Sequence, residues 1–183
     1  GIAIIDYGSQ YTQLIARRVR ELGVYSEVFA HDGTAEHINQ HDPAGYILSG
    51  GPNSVYEQGA PQLPSFILES GKPVFGICYG MQIMVHELGG RVEESEKREY
   101  GPATLEVLGS SNLFQDIPKA SSVWMSHGDH VTRLPEGFQI IAQTENSPHA
   151  AISHPKKKLY GIQFHPEVSH TEIGDDLLSR FID

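Results

Sequence analysis

The chain has a single cysteine, and it lies in the segment 76–80, which has the sequence Gly-Ile-Cys-Tyr-Gly. Residues 74–77 predict a short buried strand, and residues 81–88 predict a helix that begins directly after it. A residue between strand and helix, with glycine two positions away on each side, is typical of the sharp turn that presents a catalytic nucleophile. The positive end of the helix favours the thiolate of Cys78 over the thiol. From this segment alone, a small buried cysteine without chemistry is the alternative interpretation.

A histidine and a glutamate near the other end of the chain supply the groups that such a nucleophile needs. Residues 160–164 predict a strand, and His165, Pro166 and Glu167 follow it. Proline disfavours helical backbone for the residue before it, so we expect His165 in extended chain, where side chains two positions apart point the same way. Glu167 can then accept a hydrogen bond from one imidazole nitrogen and leave the other for a thiol. Cysteine, histidine and carboxylate together predict an activated sulfur nucleophile.

The first half of the chain alternates predicted strands with predicted helices. Apolar runs predict strands, and helical periodicity predicts the segments between them. The strands are at residues 2–5, 24–29, 45–48 and 74–77, and the helices are at 10–22, 34–40, 63–70 and 81–88. This alternation predicts an α/β fold with an open, doubly wound, mostly parallel sheet and helices on both faces. Ligands bind such sheets at the carboxyl ends of the strands, where Cys78 and the Gly50-Gly51 loop fall.

The pattern changes after about residue 91. Short β segments follow, and we expect them to form additional antiparallel strands that carry His165 back to the cysteine turn. They are at residues 104–108, 123–126, 138–144 and 150–153. Residues 171–182 predict a closing helix with Thr171 as its N-cap.

Composition narrows the classes of function. The 13 basic and 23 acidic side chains give a formal net charge of −10, which disfavours a nucleic-acid surface because phosphate binding needs cations. No run of 18 apolar residues occurs, so we expect no membrane span. One unpaired cysteine excludes an internal disulfide framework and favours a reducing, cytoplasmic setting. The length predicts a single domain over residues 1–183.

Three segments together resemble the signature segments of class I (triad) glutamine amidotransferases. They are residues 76–80, residues 164–167 and the loop 48–52, which has the sequence Leu-Ser-Gly-Gly-Pro. Within that class, residues 5–11, 97–101 and 124–129 are similar to the glutaminase part of GMP synthases. The resemblance covers essentially the whole chain. It implies a flavodoxin-like fold and the hydrolysis of L-glutamine through a thioester on Cys78.

The loop that begins at Ser49 admits two interpretations. It resembles the Ser-Gly-Gly-x-Asp-Ser loop with which ATP pyrophosphatases hold pyrophosphate, and it also resembles the amidotransferase loop that forms half of an oxyanion hole. Here Asn53 stands in place of the aspartate, and Pro52 lacks the amide donor that a phosphate cradle would use. We therefore predict an oxyanion hole in which the backbone amides of Gly51 and Tyr79 are the donors.

The resemblance also implies which residues bind the substrate glutamine. Gln82 lies one helical turn after Cys78, so its amide can return to the substrate pocket. The family's other contacts carry over to Gly50, Gly51, Ser126, His127 and Gly128. Asp129 could hold the α-ammonium group of the substrate, although a turn-forming aspartate is the alternative.

Ten histidines invite a metal interpretation, and His127 and His130 lie three residues apart. The sequence has no His-Glu-x-x-His motif, no cysteine pair and no convergent set of carboxylates, so we predict no metal site. The resemblance implies no cofactor in this chain.

The resemblance further implies a partner that consumes the ammonia. That partner is an ATP pyrophosphatase (synthetase) domain or subunit, which would use ATP and Mg²⁺ to convert xanthosine 5′-monophosphate to GMP and would form a homodimer. Its site is not expected within these 183 residues, so the chain is expected to be either a separate subunit or the N-terminal part of a longer enzyme.

Other functions stay open at this point. The same chemistry could serve a different synthase, which the stimulating acceptor would reveal. A non-catalytic regulatory or binding domain would have no need of Cys78, His165 and Glu167 together. A cysteine peptidase would leave Gln82 and residues 126–129 without a role.

Overall fold

The structure, a computed structural model, describes residues 1–109, 111–168 and 171–182, with the backbone alone for residues 97–99. Its first half alternates strands and helices because apolar runs buried on both faces are followed by amphipathic segments. The strands are β1 (Ile2–Asp6), β2 (Ser26–Ala30), β3 (Gly45–Leu48) and β4 (Val74–Ile77). They pair in parallel in the order β2-β1-β3-β4. The predicted bounds of β3 and β4 agree with the structure residue for residue.

Helices cover both faces of this sheet. They are α1 (Thr12–Glu21), α2 (Ala35–Asn39), α3 (Ser65–Glu69), α4 (Tyr79–Glu87) and α5 (Gly174–Ile182). Helices α1 and α5 pack into one apolar cluster, and α2, α3 and α4 pack into a second cluster on the other face. In the described part of the chain, no helix is long and apolar enough to cross a membrane.

The second half of the chain extends the sheet. Its strands are β5 (Arg91–Val107), β6 (Ala120–Arg133), β7 (Gln139–Thr144), β8 (Ser147–His154) and β9 (Leu159–Ile162). The full order is β2-β1-β3-β4-β9-β8-β7-β5-β6. Because β9 lies parallel to β4 and antiparallel to β8, the chain leaves β9 beside the carboxyl end of β4. The predicted fold class, a doubly wound parallel sheet with antiparallel additions, is confirmed.

The strands β5 and β6 are much longer than the predicted segments 104–108 and 123–126. They span 17 and 14 residues and form an antiparallel ribbon at the edge of the sheet. Residues 93–96 are mostly polar and exposed, so periodicity gave no strand signal there. Pairing with β6 stabilises this segment, and the register shifts between Glu94 and Glu99. Of the segment 97–101, the side chains of residues 97–99 lie outside the described part.

The prediction that Thr171 caps the last helix is wrong. Helix α5 begins at Gly174, and the amide of Gly174 donates to the main-chain oxygen of Thr171. A Cβ at Gly174 would overlap the carbonyl oxygen of Pro166, so the chain approaches itself closely at this point. The Thr171 hydroxyl is used instead by the segment that carries His165, as described below.

Candidate active site

The turn between β4 and α4 holds Cys78 in strained backbone. Its φ of 52° and ψ of −109° are rare for a residue with a side chain and cost about 1–3 kcal/mol. A Cβ at Gly80 would overlap the carbonyl oxygen of Leu48, and one at Gly76 would lie 2.6 Å from the amide nitrogen of Met81. These two glycines therefore permit the sharp turn that the sequence predicted.

Strand β9 brings His165 and Glu167 to this turn. The Cys78 amide donates to the carbonyl oxygen of Ile162, at the end of β9, at 2.8 Å. His165 Nδ1 lies 2.8 Å from Glu167 Oε1, and both side chains are buried. Because a carboxylate oxygen can only accept, Nδ1 carries the proton in this contact and Nε2 is left for the sulfur. This is the contact that the His-Pro-Glu spacing predicted.

The electrostatics of this pair favour a protonated imidazole. Burial on its own lowers the pKa of His165. The hydrogen bond with Cys78, the hydrogen bond with Glu167 and the charges of both partners outweigh burial and raise the pKa from 6.5 to about 10. A cationic His165 beside the sulfur is the arrangement that supports a thiolate at neutral pH.

A cavity of about 250 Å³ opens onto the sulfur. It brings together four of the residues predicted from the sequence, namely Gly51, Cys78, Ser126 and His165, and it is also lined by Gly8, Ser9, Gln10, Tyr11 and Pro52. The Tyr11 ring packs edge-on against the His165 imidazole with 5.2 Å between centroids. A larger cavity of about 630 Å³, between Phe114 and Pro155, contains none of the predicted site residues. The candidate site therefore does not coincide with the larger of these two cavities.

The Gly50-Gly51 loop passes directly beside the nucleophile. A Cβ at Gly50 would lie 3.2 Å from Cε1 of His165, and a Cβ at Gly51 would overlap the carbonyl oxygen of Tyr7. Ser49 anchors the loop, since its hydroxyl accepts from the Tyr7 amide at 2.9 Å and donates to the Gly50 oxygen at 2.9 Å. The loop that carries Gly51, the first predicted oxyanion donor, thus passes close to both His165 and Cys78.

The second predicted oxyanion donor is the amide of Tyr79. Tyr79 is the first residue of α4, where a helix leaves its backbone N–H groups without intrahelical partners. Its amide is adjacent in sequence to Cys78. The donor roles of Gly51 and Tyr79 stay predictions.

The structure does not bring all the predicted glutamine-binding residues to the cavity. Ser126 lines it, and the thiol of Cys78 lies 3.6 Å from the Ser126 carbonyl oxygen. His127 Nδ1 lies 2.6 Å from the Asp129 carbonyl oxygen, and Gln82 Nε2 donates to the same oxygen at 3.2 Å. Gly50, Gln82, His127, Gly128 and Asp129 are not part of the cavity lining, so their contact with substrate stays a prediction.

The carboxylate of Asp129 has partners of its own. It accepts hydrogen bonds from the hydroxyls of Ser54 and Tyr56, the latter at 2.7 Å. Both hydroxyls belong to the segment that continues the Gly50-Gly51 loop. Asp129 therefore connects this loop to β6. Among the described residues, no group of three or more histidine, cysteine, aspartate or glutamate side chains is arranged to hold a metal ion.

Two residues that position the site were missed by sequence reasoning. The Thr171 hydroxyl donates to the His165 carbonyl oxygen at 2.6 Å, although its sequence context suggested a helix cap. The Gln163 side chain reaches the sulfur of Cys78 at 3.3 Å. The signal for Gln163 was present, because it precedes His165 by the same two positions that separate His165 from Glu167.

Comparison with known proteins agrees with this geometry. The sequence matches the family described as "Glutamine amidotransferase class-I" over residues 3–183. A protein of Aquifex aeolicus named "GMP synthase [glutamine-hydrolyzing]" is 55% identical over 181 residues, which are 99% of this chain and 36% of that protein. The Bacillus velezensis protein of the same name is 53% identical, with 99% and 35% covered. The chain spans little more than a third of the length of these relatives.

Solved structures share the fold of this chain. The crystal structure of a Thermoplasma acidophilum protein, described as a putative GMP synthase subunit, has a TM-score of 0.87 and 30% identity, with 99% of this chain and 91% of that chain covered. A glutamine amidotransferase from Thermotoga maritima has a TM-score of 0.81, 19% identity and coverage of 99% and 95%, which shows the shared fold. The chain belongs to the class-I glutamine amidotransferase family.

Proposed function

We propose that this chain hydrolyses L-glutamine to glutamate and ammonia as the glutaminase part of a GMP synthase. The observation that carries the proposal is the convergence of Cys78, the His165–Glu167 pair and Gly51 at one cavity. A strained cysteine beside an oriented, cationic imidazole is suited to covalent acyl transfer. We further propose that residues 1–183 form a single amidotransferase domain.

The first half of the reaction forms a thioester. The Cys78 thiolate attacks the side-chain carboxamide carbon, and the oxygen of that carboxamide becomes the oxyanion. The amides of Gly51 and Tyr79 donate to the oxyanion. The His165 imidazolium gives its proton to the departing nitrogen, the C–N bond breaks, and ammonia leaves a γ-glutamyl thioester on Cys78.

The second half of the reaction regenerates the nucleophile. Neutral His165 takes a proton from water, and the resulting hydroxide attacks the thioester carbon. The C–S bond breaks, and glutamate leaves while Cys78 returns to the thiolate beside a cationic His165. Glu167 holds the imidazole in one tautomer and stabilises its charge in both halves of the reaction.

Substrate recognition is proposed for Gly51 and Ser126, which line the cavity, and for five residues outside its lining, namely Gly50, Gln82, His127, Gly128 and Asp129. The Asp129 carboxylate is the negative group suited to an α-ammonium. In the structure it accepts from Ser54 and Tyr56, so substrate binding there would rearrange or extend these contacts.

The ammonia is proposed to serve a second site outside residues 1–183. The support is the name of these relatives and the fact that the chain spans 36% of the Aquifex aeolicus protein. That site would belong to an ATP pyrophosphatase domain or subunit, which would use ATP and Mg²⁺ to activate xanthosine 5′-monophosphate. We propose that two copies of the enzyme form a homodimer through this domain or subunit. We also propose a cytoplasmic location, since the reaction needs a free thiol.

The test separates ammonia production from ammonia use in the complete enzyme. Cys78→Ala should abolish glutamine-dependent GMP synthesis and leave ammonia-dependent synthesis close to wild type. Loss of both activities in a folded variant would contradict the two-site proposal. Stimulation of glutaminase turnover by another acceptor, rather than by xanthosine 5′-monophosphate, would assign the chain to a different synthase.

A further inference from the structure

Gln163 is a buried side chain that touches the proposed nucleophile. It is 1% exposed, and its Nε2 lies 3.3 Å from Cys78 Sγ. It follows β9 directly, so one short segment places both an imidazole and a carboxamide against the same sulfur. The proposed mechanism uses the imidazole and gives the carboxamide no role.

The hydrogen-bond network fixes which end of this carboxamide faces the sulfur. The main-chain oxygen of Asp129 can only accept, so the nitrogen of the Gln82 carboxamide must point toward it, at 3.2 Å. That same nitrogen lies 3.1 Å from Gln163, which must therefore present its oxygen. The NH₂ group of Gln163 is then the end that faces Cys78. Turning the Gln82 amide would place its oxygen against the Asp129 oxygen, so that two acceptors would face each other. Turning the Gln163 amide would place its nitrogen against the Gln82 nitrogen, so that two donors would face each other.

A donor in this position acts on one protonation state of the sulfur. The thiolate can only accept, so an N–H directed at it favours the charged form. The Ser126 carbonyl oxygen, 3.6 Å from the sulfur, can accept from the thiol and favours the neutral form. Gln163 therefore favours the thiolate, as the cationic His165 does, whereas Ser126 favours the neutral thiol.

We propose that Gln163 is a positioning residue that donates a hydrogen bond to the Cys78 thiolate, and that Gln82 acts on the nucleophile by orienting Gln163. The inference rests on the proposed function, because it takes Cys78 as the nucleophile. It assigns Gln163 to the sulfur and not to the oxyanion, which develops on the substrate. It also gives Gln82 a role that does not depend on contact with glutamine.

The test is the pH dependence of alkylation of Cys78 by iodoacetamide in the complete protein, with the Cys78 peptide followed by mass spectrometry. Gln163→Leu keeps a similar volume and removes the donor, and Gln163→Glu keeps the shape and turns an acceptor toward the sulfur. The alkylation midpoint should rise by about one pH unit in Gln163→Leu, and further in Gln163→Glu. Gln82→Leu should give a smaller rise, because Gln163 is then left without its orienting contact.

The alkylation midpoints of these variants distinguish a hydrogen-bond donor from a side chain that only fills space. If Gln163 only filled space, Gln163→Leu, which keeps a similar volume, would have the wild-type midpoint. The matched control is Gln139→Leu, which changes an exposed glutamine on β7 and should leave the midpoint unchanged. Circular dichroism and thermal unfolding show which variants fold. If Gln163→Leu does not fold, the midpoint of Gln82→Leu provides the test.

An unchanged midpoint in folded Gln163→Leu and Gln163→Glu would overturn the inference. If the wild-type enzyme still hydrolysed glutamine, that result would leave the proposed function intact. Absence of glutamine hydrolysis in the folded wild-type enzyme would instead refute the proposed function, whatever the midpoints.

Discussion

Thr171 is joined to His165 through its side chain: the threonine hydroxyl donates to the main-chain oxygen of His165 at 2.6 Å. The same hydroxyl accepts from the Trp124 amide at 2.9 Å, and the His165 amide donates to the Trp124 oxygen at 3.0 Å. One buried hydroxyl therefore connects β6 with the segment that carries the imidazole. We therefore expect the direction of that imidazole toward Cys78 to depend on this connection.

Thr171→Val should lower both stability and turnover. The variant keeps the shape of the side chain but removes its hydrogen bonds with the His165 carbonyl oxygen and the Trp124 amide, which costs about 1–3 kcal/mol of unfolding free energy. Thr171 does not line the cavity, so kcat should fall with little change in KM for glutamine. Urea unfolding and steady-state kinetics measure the two effects. Thr171→Ser should restore both, and Thr104→Val at an exposed position of β5 should change neither.

Glu167→Gln should move the alkaline limit of activity to lower pH. The hydrogen bond and charge of Glu167 are among the causes that raise the pKa of His165 to about 10. Below that pKa, His165 holds the proton that the departing ammonia takes, and above it the proton is lost. A neutral amide at position 167 lowers the pKa, so the loss of kcat/KM begins at a less alkaline pH. The measurement is the pH profile of kcat/KM for glutamine.

The control for this profile is Glu172→Gln, which changes an exposed glutamate near the same segment and should leave the limit in place. His165→Ala should reduce activity about as much as Cys78→Ala, because members of a catalytic unit do not contribute additively. An alkaline limit that is the same in wild type and Glu167→Gln would show that Glu167 does not set the charge of His165.

Gly51→Ala should impair the oxyanion hole. An added Cβ would overlap the Tyr7 carbonyl oxygen, so the loop must move away from the sulfur. Loss of one oxyanion donor lowers kcat about 100- to 1,000-fold. Gly23→Ala is the control: its φ of 87° makes alanine unfavourable there, but no atom lies within 4 Å of the added Cβ. That variant should lose some stability and keep kcat. Wild-type turnover in folded Gly51→Ala would exclude this donor.

Local patterns predicted the parts of the site that are set by neighbouring residues. The turn at Cys78 follows from two glycines, and the His165–Glu167 contact follows from Pro166 and extended backbone. Local patterns did not identify the partners of side chains in distant segments, even where the spacing placed a side chain on the right face, as it did for Gln163. The bond from Thr171 to His165 depends on where α5 begins, and the bond from Gln163 to Cys78 depends on the parallel pairing of β9 with β4.

The loop that carries Gly51 is tied to β6 through Asp129. Ser54 and Tyr56 both donate to the Asp129 carboxylate, and the Asp129 carbonyl oxygen accepts from Gln82. The position of Gly51, the proposed oxyanion donor, is therefore coupled to a strand outside the loop. Tyr56 is 50% exposed, so a partner that covers this surface can act on the loop.

The last prediction is that glutamine hydrolysis is slow until the synthetase site binds its nucleotides. Without an acceptor, hydrolysis would release the ammonia to water. Rotation of the Gly50-Gly51 peptide would remove the oxyanion donor that we propose for Gly51. Such a loss costs about 3–4 kcal/mol of transition-state stabilisation, which is enough for a switch. The measurement is glutaminase turnover of the complete enzyme without nucleotide, then with ATP and xanthosine 5′-monophosphate.

Tyr56→Phe removes one tie between the loop and Asp129, so the ratio of stimulated to basal turnover should move toward one. Tyr25→Phe is the matched control, because the Tyr25 hydroxyl donates to Glu27, far from the loop in sequence, and is also exposed. The control should keep the wild-type ratio. Equal turnover of the wild-type enzyme with and without nucleotide would refute the switch while leaving the roles of Cys78, His165 and Glu167 untouched, because those roles concern the chemical step and not its regulation.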